Sequence, residues 1–175
     1  MTRGLTATQK GYLDDNAVIH ETLVQISYGG NSVYYTTGLA DLTGVSTNYS
    51  GGTQTWSANN TIQNVDTIIE KTFGVTAPQA LIMTGDMGAT LGALGVSALN
   101  LPNIDTEFYI HRIFRNLSTY AEWGEDPIEL FAGVLVKKSY TVGVDTEVLQ
   151  LDLQNKSRFY SKVSQLKVLK GLGAI

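Results

Sequence analysis

Several stretches of this chain show a regular alternation of side chains, which limits the folds that it can adopt. From Ala17 to Ile26 the residues fall on two faces with a period of two, and Thr106 to Phe114 repeats that period. Successive side chains of a β-strand point to opposite faces, whereas an amphipathic helix needs a period near 3.6 residues. Both stretches are therefore predicted to be strands.

Turn residues join such stretches into two predicted hairpins. Tyr28-Gly29-Gly30-Asn31 follows the first strand and tolerates positive φ, and Ser32 to Thr36 resumes in β-branched and aromatic residues. Ile128 to Tyr140 and Thr146 to Leu153 flank a second turn over Val142 to Asp145. The chain is thus predicted to return on itself at both places.

The remaining segments give weaker signals. Gly133 interrupts its strand and predicts a bulge or a close backbone approach. Gln79 to Thr84 reads as a short buried strand, and Gly38 to Asn60 as a loop or a pair of irregular edge strands. The apolar spacing of Thr61 to Phe73 suits a helix, whereas its β-branched residues suit a strand, so the sequence does not decide its secondary structure.

Short helices are expected between and beyond the strands. The spacing of apolar residues predicts them over Ala7 to Asp15, Met87 to Leu101 and Asn155 to Leu169. No internal repeat or linker interrupts the chain. The expected fold is therefore mainly β (β+α), a single domain over residues 1–175 built as an antiparallel β-barrel or sandwich with one to three short helices.

The balance of charge bears on possible partners. Charged residues make up 16% of the chain, below the ~25% of average soluble domains, and neutral polar residues and glycine take their place. Such residues cost less to bury against a partner, which favours self-association. The net charge of −4 argues against a nucleic-acid binder, since phosphate contacts require clustered Lys and Arg.

Residue patterns for catalysis or metal binding are largely missing from the sequence. The chain has no cysteine, and its two histidines, His20 and His111, lie in predicted strands without metal-ligand spacing. Both are expected to be polar side chains on the solvated or inter-subunit face of a sheet. Ser97 lacks the closing glycine of a nucleophile elbow, and Gly85 to Gly95 lacks the spacing of a phosphate loop. We predict no enzyme activity, no catalytic or metal residue and no cofactor.

Four aromatic residues are the candidate interface anchors. They are Tyr34, Tyr35, Trp56 and Trp123. Large amphipathic rings in loops anchor protein partners or sugars, and equally they can cap the ends of a barrel. The sequence leaves both interpretations open.

Nothing in the sequence resembles a targeting or spanning segment. The start, Met1 to Thr6, lacks the apolar run of a signal peptide, and no stretch reaches the ~20 apolar residues that cross a bilayer. We expect synthesis in the cytoplasm and no membrane anchor.

The order of these pieces resembles a known family. Ile19 to Ile26, then Gly29-Gly30, Tyr34 to Gly38, Asp41 to Gly44 and Tyr49, is similar to the start of bacteriophage minor tail proteins of the tail-tip hub or distal-tail type. Ile104 to Arg115, Leu130 to Leu135 and Leu149 to Arg158 are compatible with their later strands. Larger hubs carry further domains, and some hold a cysteine-ligated cluster that this chain cannot form.

The resemblance implies a structural role in the virion. It implies a β-barrel whose copies close a ring of three or six at the end of the tail tube, in contact with tail-tube and tail-tip proteins. It transfers no catalytic residue. An acidic inner surface would let DNA pass through the ring without specific binding.

Three alternatives remain from the sequence. One is another virion ring protein, of the tail-tube, tail-completion or head-tail connector kind. The second is a carbohydrate-binding β module that uses the four aromatic residues. The third is a small enzyme with carboxylate chemistry, which only the scattered Asp and Glu residues support.

Overall fold

A computed structural model gives the architecture of most of the chain. It describes residues 7, 18–58, 62–65, 70–71, 75–76, 79–85, 90–116, 127–144 and 147–156. These residues are mainly β, which confirms the predicted class. Only Ala7 of the predicted helix over Ala7 to Asp15 is among the described residues. Of the predicted helix over Asn155 to Leu169, only Asn155 and Lys156 are described.

The described residues form eleven strands. They are β1 (Val18–Tyr28), β2 (Asn31–Thr36), β3 (Leu42–Val45), β4 (Gln54–Ala58), β5 (Ile62–Val65), β6 (Glu70–Lys71), β7 (Val75–Thr76), β8 (Gln79–Thr84), β9 (Glu107–Asn116), β10 (Ile128–Val142) and β11 (Glu147–Asn155). Every stretch with a clear period of two is a strand, and the Gly38 to Asn60 region contains the predicted pair of strands, β3 and β4.

Hydrogen bonds connect nine of these strands in one order. The order is β3-β4-β2-β1-β9-β10-β11-β8-β5, while β6 pairs with β7. Two details differ from the predicted antiparallel barrel or sandwich. Strands β2 and β4 pair in parallel, through Tyr35 with Ser57 and Thr36 with Ala58. Among the described residues β3 and β5 end the order, so the sheet is not closed.

The glycine-rich segment that was predicted to be one helix is broken into short turns. Thr90 and Leu91 begin a helical turn that continues as the 3-10 helix η1 (Gly92–Leu94), and a second, η2 (Ala98–Asn100), follows. Gly95 ends η1 with a φ of 73°. Each interior glycine costs a helix about 1 kcal/mol relative to alanine. Leu91, Leu94 and Ala98 are buried without a continuous helix, whereas Leu99 is 64% exposed.

The chain divides into two compact units, each built from separate segments. The first unit comprises Met1–Val24, Tyr34–Asn59 and Ile110–Leu130. Its core is a cluster of five buried apolar residues, with Tyr34 packed against it: Leu23, Leu42, Val45, Trp56 and Ile113. The prediction of a single domain over residues 1–175 stays a prediction.

The second unit comprises Gln25–Val33, Asn60–Tyr109 and Phe131–Ile175. In it β11 pairs antiparallel with both β10 and β8, and Leu151 lies opposite Leu81. Leu149, Leu151 and Leu153 are fully buried, as their predicted common face requires. The backbone of Leu135 accepts a hydrogen bond from Ile104 at 2.7 Å and donates one to Thr106 at 2.9 Å.

Gly133 in β10 is required by a close backbone approach, which confirms one of its two predicted roles. A Cβ built there would lie 2.4 Å from the backbone oxygen of Gln154 and 2.3 Å from Cζ of Phe131. The register shift of the β10–β11 pair lies farther along, between Leu135 and Lys137. The absence of a side chain at Gly133 therefore allows the backbone of β11 to approach closely. The bulge is a separate feature.

Replacing this glycine is expected to strain the sheet. We predict that Gly133→Ala lowers the free energy of unfolding by about 1–3 kcal/mol, because a backbone oxygen cannot move aside as a flexible side chain does. Urea unfolding measures this change. Gly92→Ala is the matched control, since nothing lies within 4 Å of a Cβ at Gly92. Equal stability of the two variants would contradict the close approach.

Candidate functional site

Two of the four predicted aromatic anchors belong to the core. Trp56 is fully buried, and its indole N–H donates to the backbone oxygen of Val45 at 3.1 Å. Tyr35 is 7% exposed, and burial raises its pKa to about 12. Neither ring offers a surface to a partner, which corrects their predicted interface role. The carbohydrate-module alternative also loses two of its four anchors.

Of the other two predicted anchors, only Tyr34 is among the described residues. Tyr34 is half-buried, with its ring 5.2 Å from that of Trp56 in an edge-to-face arrangement. Its hydroxyl donates to the backbone oxygen of Ser50 at 3.4 Å. Its interface role stays a prediction. Trp123 lies outside the described residues.

A buried ion pair lies in the first unit. Arg115 Nε is 3.2 Å from Glu21 Oε1, and both side chains are at most 10% exposed. Thr36 Oγ1 donates to Glu21 Oε2 at 3.2 Å and accepts from the Gly38 N–H at 3.0 Å. A Cβ at Gly38 would lie 2.4 Å from Glu21 Oε2, so glycine leaves room for the carboxylate in its present position. This arrangement fixes β1, β2 and β9 side chains within the unit.

The two histidines have opposite environments. His20 is exposed, in agreement with its predicted place on a solvated face. His111 is 1% exposed, and neither ring nitrogen has a hydrogen-bond partner among the described residues. Burial lowers its pKa to about 4, and the ring of Tyr49 lies 6.0 Å away. The predicted solvated or inter-subunit face is wrong for His111, because the strand turns this side chain inward.

The buried histidine makes stability depend on pH. The unfolded chain takes up a proton near pH 6.5, whereas the folded chain resists it down to about pH 4. The contribution of neutral His111 to the free energy of unfolding is therefore fully present above pH 6.5 and is lost as the pH falls toward 4. Between pH 7 and pH 5 we predict a loss of about 2 kcal/mol in unfolding free energy.

Urea unfolding of matched histidine variants at both pH values measures this contribution. His111→Leu is expected to lose about 2 kcal/mol less than the parent between pH 7 and pH 5. His20→Leu removes an exposed histidine and is expected to keep the parent's pH dependence. If His111→Leu also kept that dependence, the buried neutral state of His111 would be disproved.

A polar triad lies in the second unit, formed by Glu107, Tyr109 and Lys156. Lys156 Nζ is 2.7 Å from Glu107 Oε1 and donates to the Tyr109 hydroxyl at 2.8 Å. The Tyr109 hydroxyl donates to Glu107 Oε2, and the ammonium group lies 4.9 Å from the centre of the tyrosine ring. Each group is held by the other two.

The triad keeps its charges rather than activating a nucleophile. Desolvation opposes the charged forms of Glu107 and Lys156, yet their mutual contacts and those with Tyr109 lower the pKa of Glu107 and raise that of Lys156. Desolvation and the Glu107 contact raise the pKa of Tyr109. At neutral pH the triad is a carboxylate, an ammonium and a neutral phenol, which suits a fixed polar surface.

A small cavity adjoins this triad, and we call it the turn cavity. Ser27–Ser32 at the β1–β2 turn line it together with Asp105 and Glu107, and its volume is about 240 Å³. Gly29 and Gly30 have φ values of 59° and 85°, which the tight turn requires. The sequence predicts the turn but not the cavity, because Asp105 and Glu107 are distant from the turn in the chain.

Large apolar side chains are exposed at several turns. In the first unit Leu39 is 86% exposed, and in the second Val142 is 65% and Val144 100% exposed. The two valines lie at the end of the long β10–β11 hairpin. Solvation of such side chains is unfavourable, so a group of them marks a candidate contact surface.

The strands that end the sheet order are poorly suited to pairing with another chain. Each is four residues long, and each has a register shift, between Thr43 and Val45 in β3 and between Ile62 and Asn64 in β5. Short, bulged edges hinder strand addition. Contacts with other proteins are therefore expected to use side chains more than main-chain hydrogen bonds.

Within the described residues no group of three or more His, Cys, Asp or Glu could hold a metal ion. No helix in the same part of the chain has the length and apolar character needed to cross a membrane. The chain matches no protein-family model, and no curated protein matches it either.

Proposed function

We propose that the protein is a structural subunit of a bacteriophage tail tip, where copies of it form the ring that joins the tail tube to the tip. One observation carries the proposal beyond the sequence resemblance. The β10–β11 hairpin presents two solvent-exposed valines, Val142 and Val144, at its end. An exposed apolar tip of this kind gains free energy when a neighbouring subunit covers it.

The expected gain is large enough to matter for assembly. Complete burial of a valine or leucine side chain contributes roughly 1.5–3 kcal/mol. Leu39, Val142 and Val144 supply three such side chains per copy, and a ring repeats each contact around its axis. Neighbours in a head-to-tail ring use two different surfaces of each subunit.

The polar clusters support a structural role over a catalytic one. The Glu21–Arg115 pair is buried and bonded to Thr36, and the Glu107–Tyr109–Lys156 triad pairs its charges within itself. Both arrangements rigidify the fold. A rigid subunit loses little conformational entropy on assembly, which favours a stable ring.

Labelling of particles tests the proposed position. Phage particles assembled with an epitope-tagged copy of this chain would be decorated with a gold-labelled antibody and imaged by negative stain. We expect label at the tail end distal to the head. Label along the tube or at the neck would replace the proposal with the tail-tube or connector alternatives, and particles without label would contradict a virion role.

The net charge of −4 leads to a separate expectation about DNA. A ring that lets DNA pass should not retain it, because an acidic surface repels phosphate. Filter binding with the purified protein at low salt measures retention. Tight binding under these conditions would contradict passage without specific contact.

A further inference from the structure

The loop between β3 and β4 lies against a buried histidine of the first unit. It comprises residues 46–53, and we call it the Tyr49 loop. The ring of Tyr49 is 6.0 Å from the ring of His111, which is 1% exposed. We propose that the Tyr49 loop is an acid-operated lid, which opens when His111 takes up a proton and brings the imidazolium group to water. This device is independent of the proposed place in a tail tip.

The position of His111 is unfavourable for a polar side chain. Neither ring nitrogen has a hydrogen-bond partner within the part of the chain that the structure describes. Ile113, two residues along β9 and therefore on the same face, belongs to the apolar core of the first unit. A buried polar group without partners costs stability that an apolar residue would keep. A role in the protonated state accounts for a histidine at this position.

The described elements around His111 offer its protonated ring no buried carboxylate that is not already bonded. Glu21 of β1 is paired with Arg115, and Glu107 of β9 with Lys156. Strands β2, β3 and β4 and the Tyr49 loop carry no acidic, basic or histidine residue, and their tyrosines stay neutral in acid. The remaining charged side chains and the other histidine of β1, β9 and β10 are exposed or half-buried: His20, Arg112, Glu129, Lys137 and Lys138.

The Tyr49 loop is bonded mainly around one serine. Ser50 Oγ accepts from the Thr47 N–H at 2.9 Å and donates to the Gly52 carbonyl at 2.6 Å. The Ser50 carbonyl accepts from the Gln54 side-chain amide at 2.9 Å and, at the longer distance of 3.4 Å, from the Tyr34 hydroxyl. Gly52 has a φ of 137°, which glycine adopts without strain. The loop can therefore move as one body at a lower free-energy cost than unfolding of the sheet.

The effect of acid on the lid follows from the two environments of His111. In the open state the ring is solvated and has its ordinary pKa of about 6.5, whereas burial lowers the pKa to about 4 in the closed state. The proton is therefore bound more tightly in the open state. Between pH 7 and pH 5 the ratio of open to closed loop is expected to rise about 20-fold.

Hydrogen exchange of the full chain, followed by NMR and divided by the intrinsic exchange rates, tests the lid. The amides of Thr47 and Ser50 donate within the loop and report its opening, while the amides of β11, between β10 and β8, report unfolding of the sheet. We expect the opening constant of the loop amides to rise about 20-fold from pH 7 to pH 5, with a weaker dependence on urea than the β11 amides show. No rise in acid, or a urea dependence equal to that of β11, would overturn the lid.

Histidine variants assign the rise to one ring. His111→Leu removes the titrating group and is expected to abolish the rise of about 20-fold. His20→Leu removes an exposed histidine and should keep it. A rise that persists in His111→Leu, or one that is lost in His20→Leu, would contradict the assignment.

A tyrosine variant tests the cover without changing the histidine. Tyr49→Ala removes the ring beside His111, and the pKa of His111, read from the chemical shifts of its ring protons, is expected to rise from about 4 toward its ordinary value of about 6.5. Asn48→Ala, at an exposed position of the same loop, should leave that pKa unchanged. An unchanged pKa in Tyr49→Ala, or an equal rise in both variants, would overturn the role of the Tyr49 loop as a lid.

Discussion

Trp56→Ala is expected to lower the free energy of unfolding by about 3–5 kcal/mol, the usual cost of deleting a buried tryptophan. The side chain is fully buried among Leu23, Leu42 and Val45, and the alanine would leave a cavity there. It would also leave the Val45 carbonyl without the indole N–H that now donates to it. Urea unfolding with tryptophan-independent detection by circular dichroism measures the change.

Ser57→Ala is the control for Trp56→Ala. Ser57 follows Trp56 in β4 but is exposed, so its truncation should change stability by less than about 0.5 kcal/mol. An interface anchor would show the reverse pattern, with little effect of Trp56→Ala on the folded monomer. That result would restore Trp56 to a surface role.

Glu21→Gln is expected to destabilise the chain by about 3–5 kcal/mol, as removal of one partner from a buried ion pair does. The variant keeps the size of the side chain but takes the negative charge away from the buried Arg115 guanidinium. It also exchanges one carboxylate oxygen for an amide nitrogen beside Thr36 and Gly38. Chemical unfolding at pH 7 measures the loss.

Glu129→Gln makes the same charge change at an exposed position of β10. Its unfolding free energy should match that of the parent within about 0.5 kcal/mol. A Glu21→Gln variant as stable as this control would show that the buried pair contributes nothing, in conflict with its low exposure and its contacts.

The strands could be predicted from the sequence because their signal is local. The predicted alternation runs from Ala17 to Ile26 and from Thr106 to Phe114 and needs only one face to be buried. In the structure β1 (Val18–Tyr28) and β9 (Glu107–Asn116) are the corresponding strands. The Met87 to Leu101 segment misled the prediction because its apolar spacing is helical, whereas Gly92 and Gly95 favour short turns.

Most of the candidate sites could not be predicted from local sequence patterns. Glu21 and Arg115, or Asp105 and the β1–β2 turn, are distant in sequence, and only the strand order brings them together. Burial of Trp56 depends in the same way on Leu42, its register partner in β3. The sequence shows that Trp56 follows a Gly-rich stretch, which is equally compatible with a loop and with an edge strand.

The proposed function requires that this protein assemble through surfaces that meet copies of itself. Multi-angle light scattering with negative-stain imaging of the purified chain measures that assembly. We predict rings with three or six times the 19.0 kDa chain mass, and loss of these rings in a Val142→Asp, Val144→Asp double variant that remains folded. A single species of 19.0 kDa at every protein concentration, unchanged in the double variant, would contradict the claim.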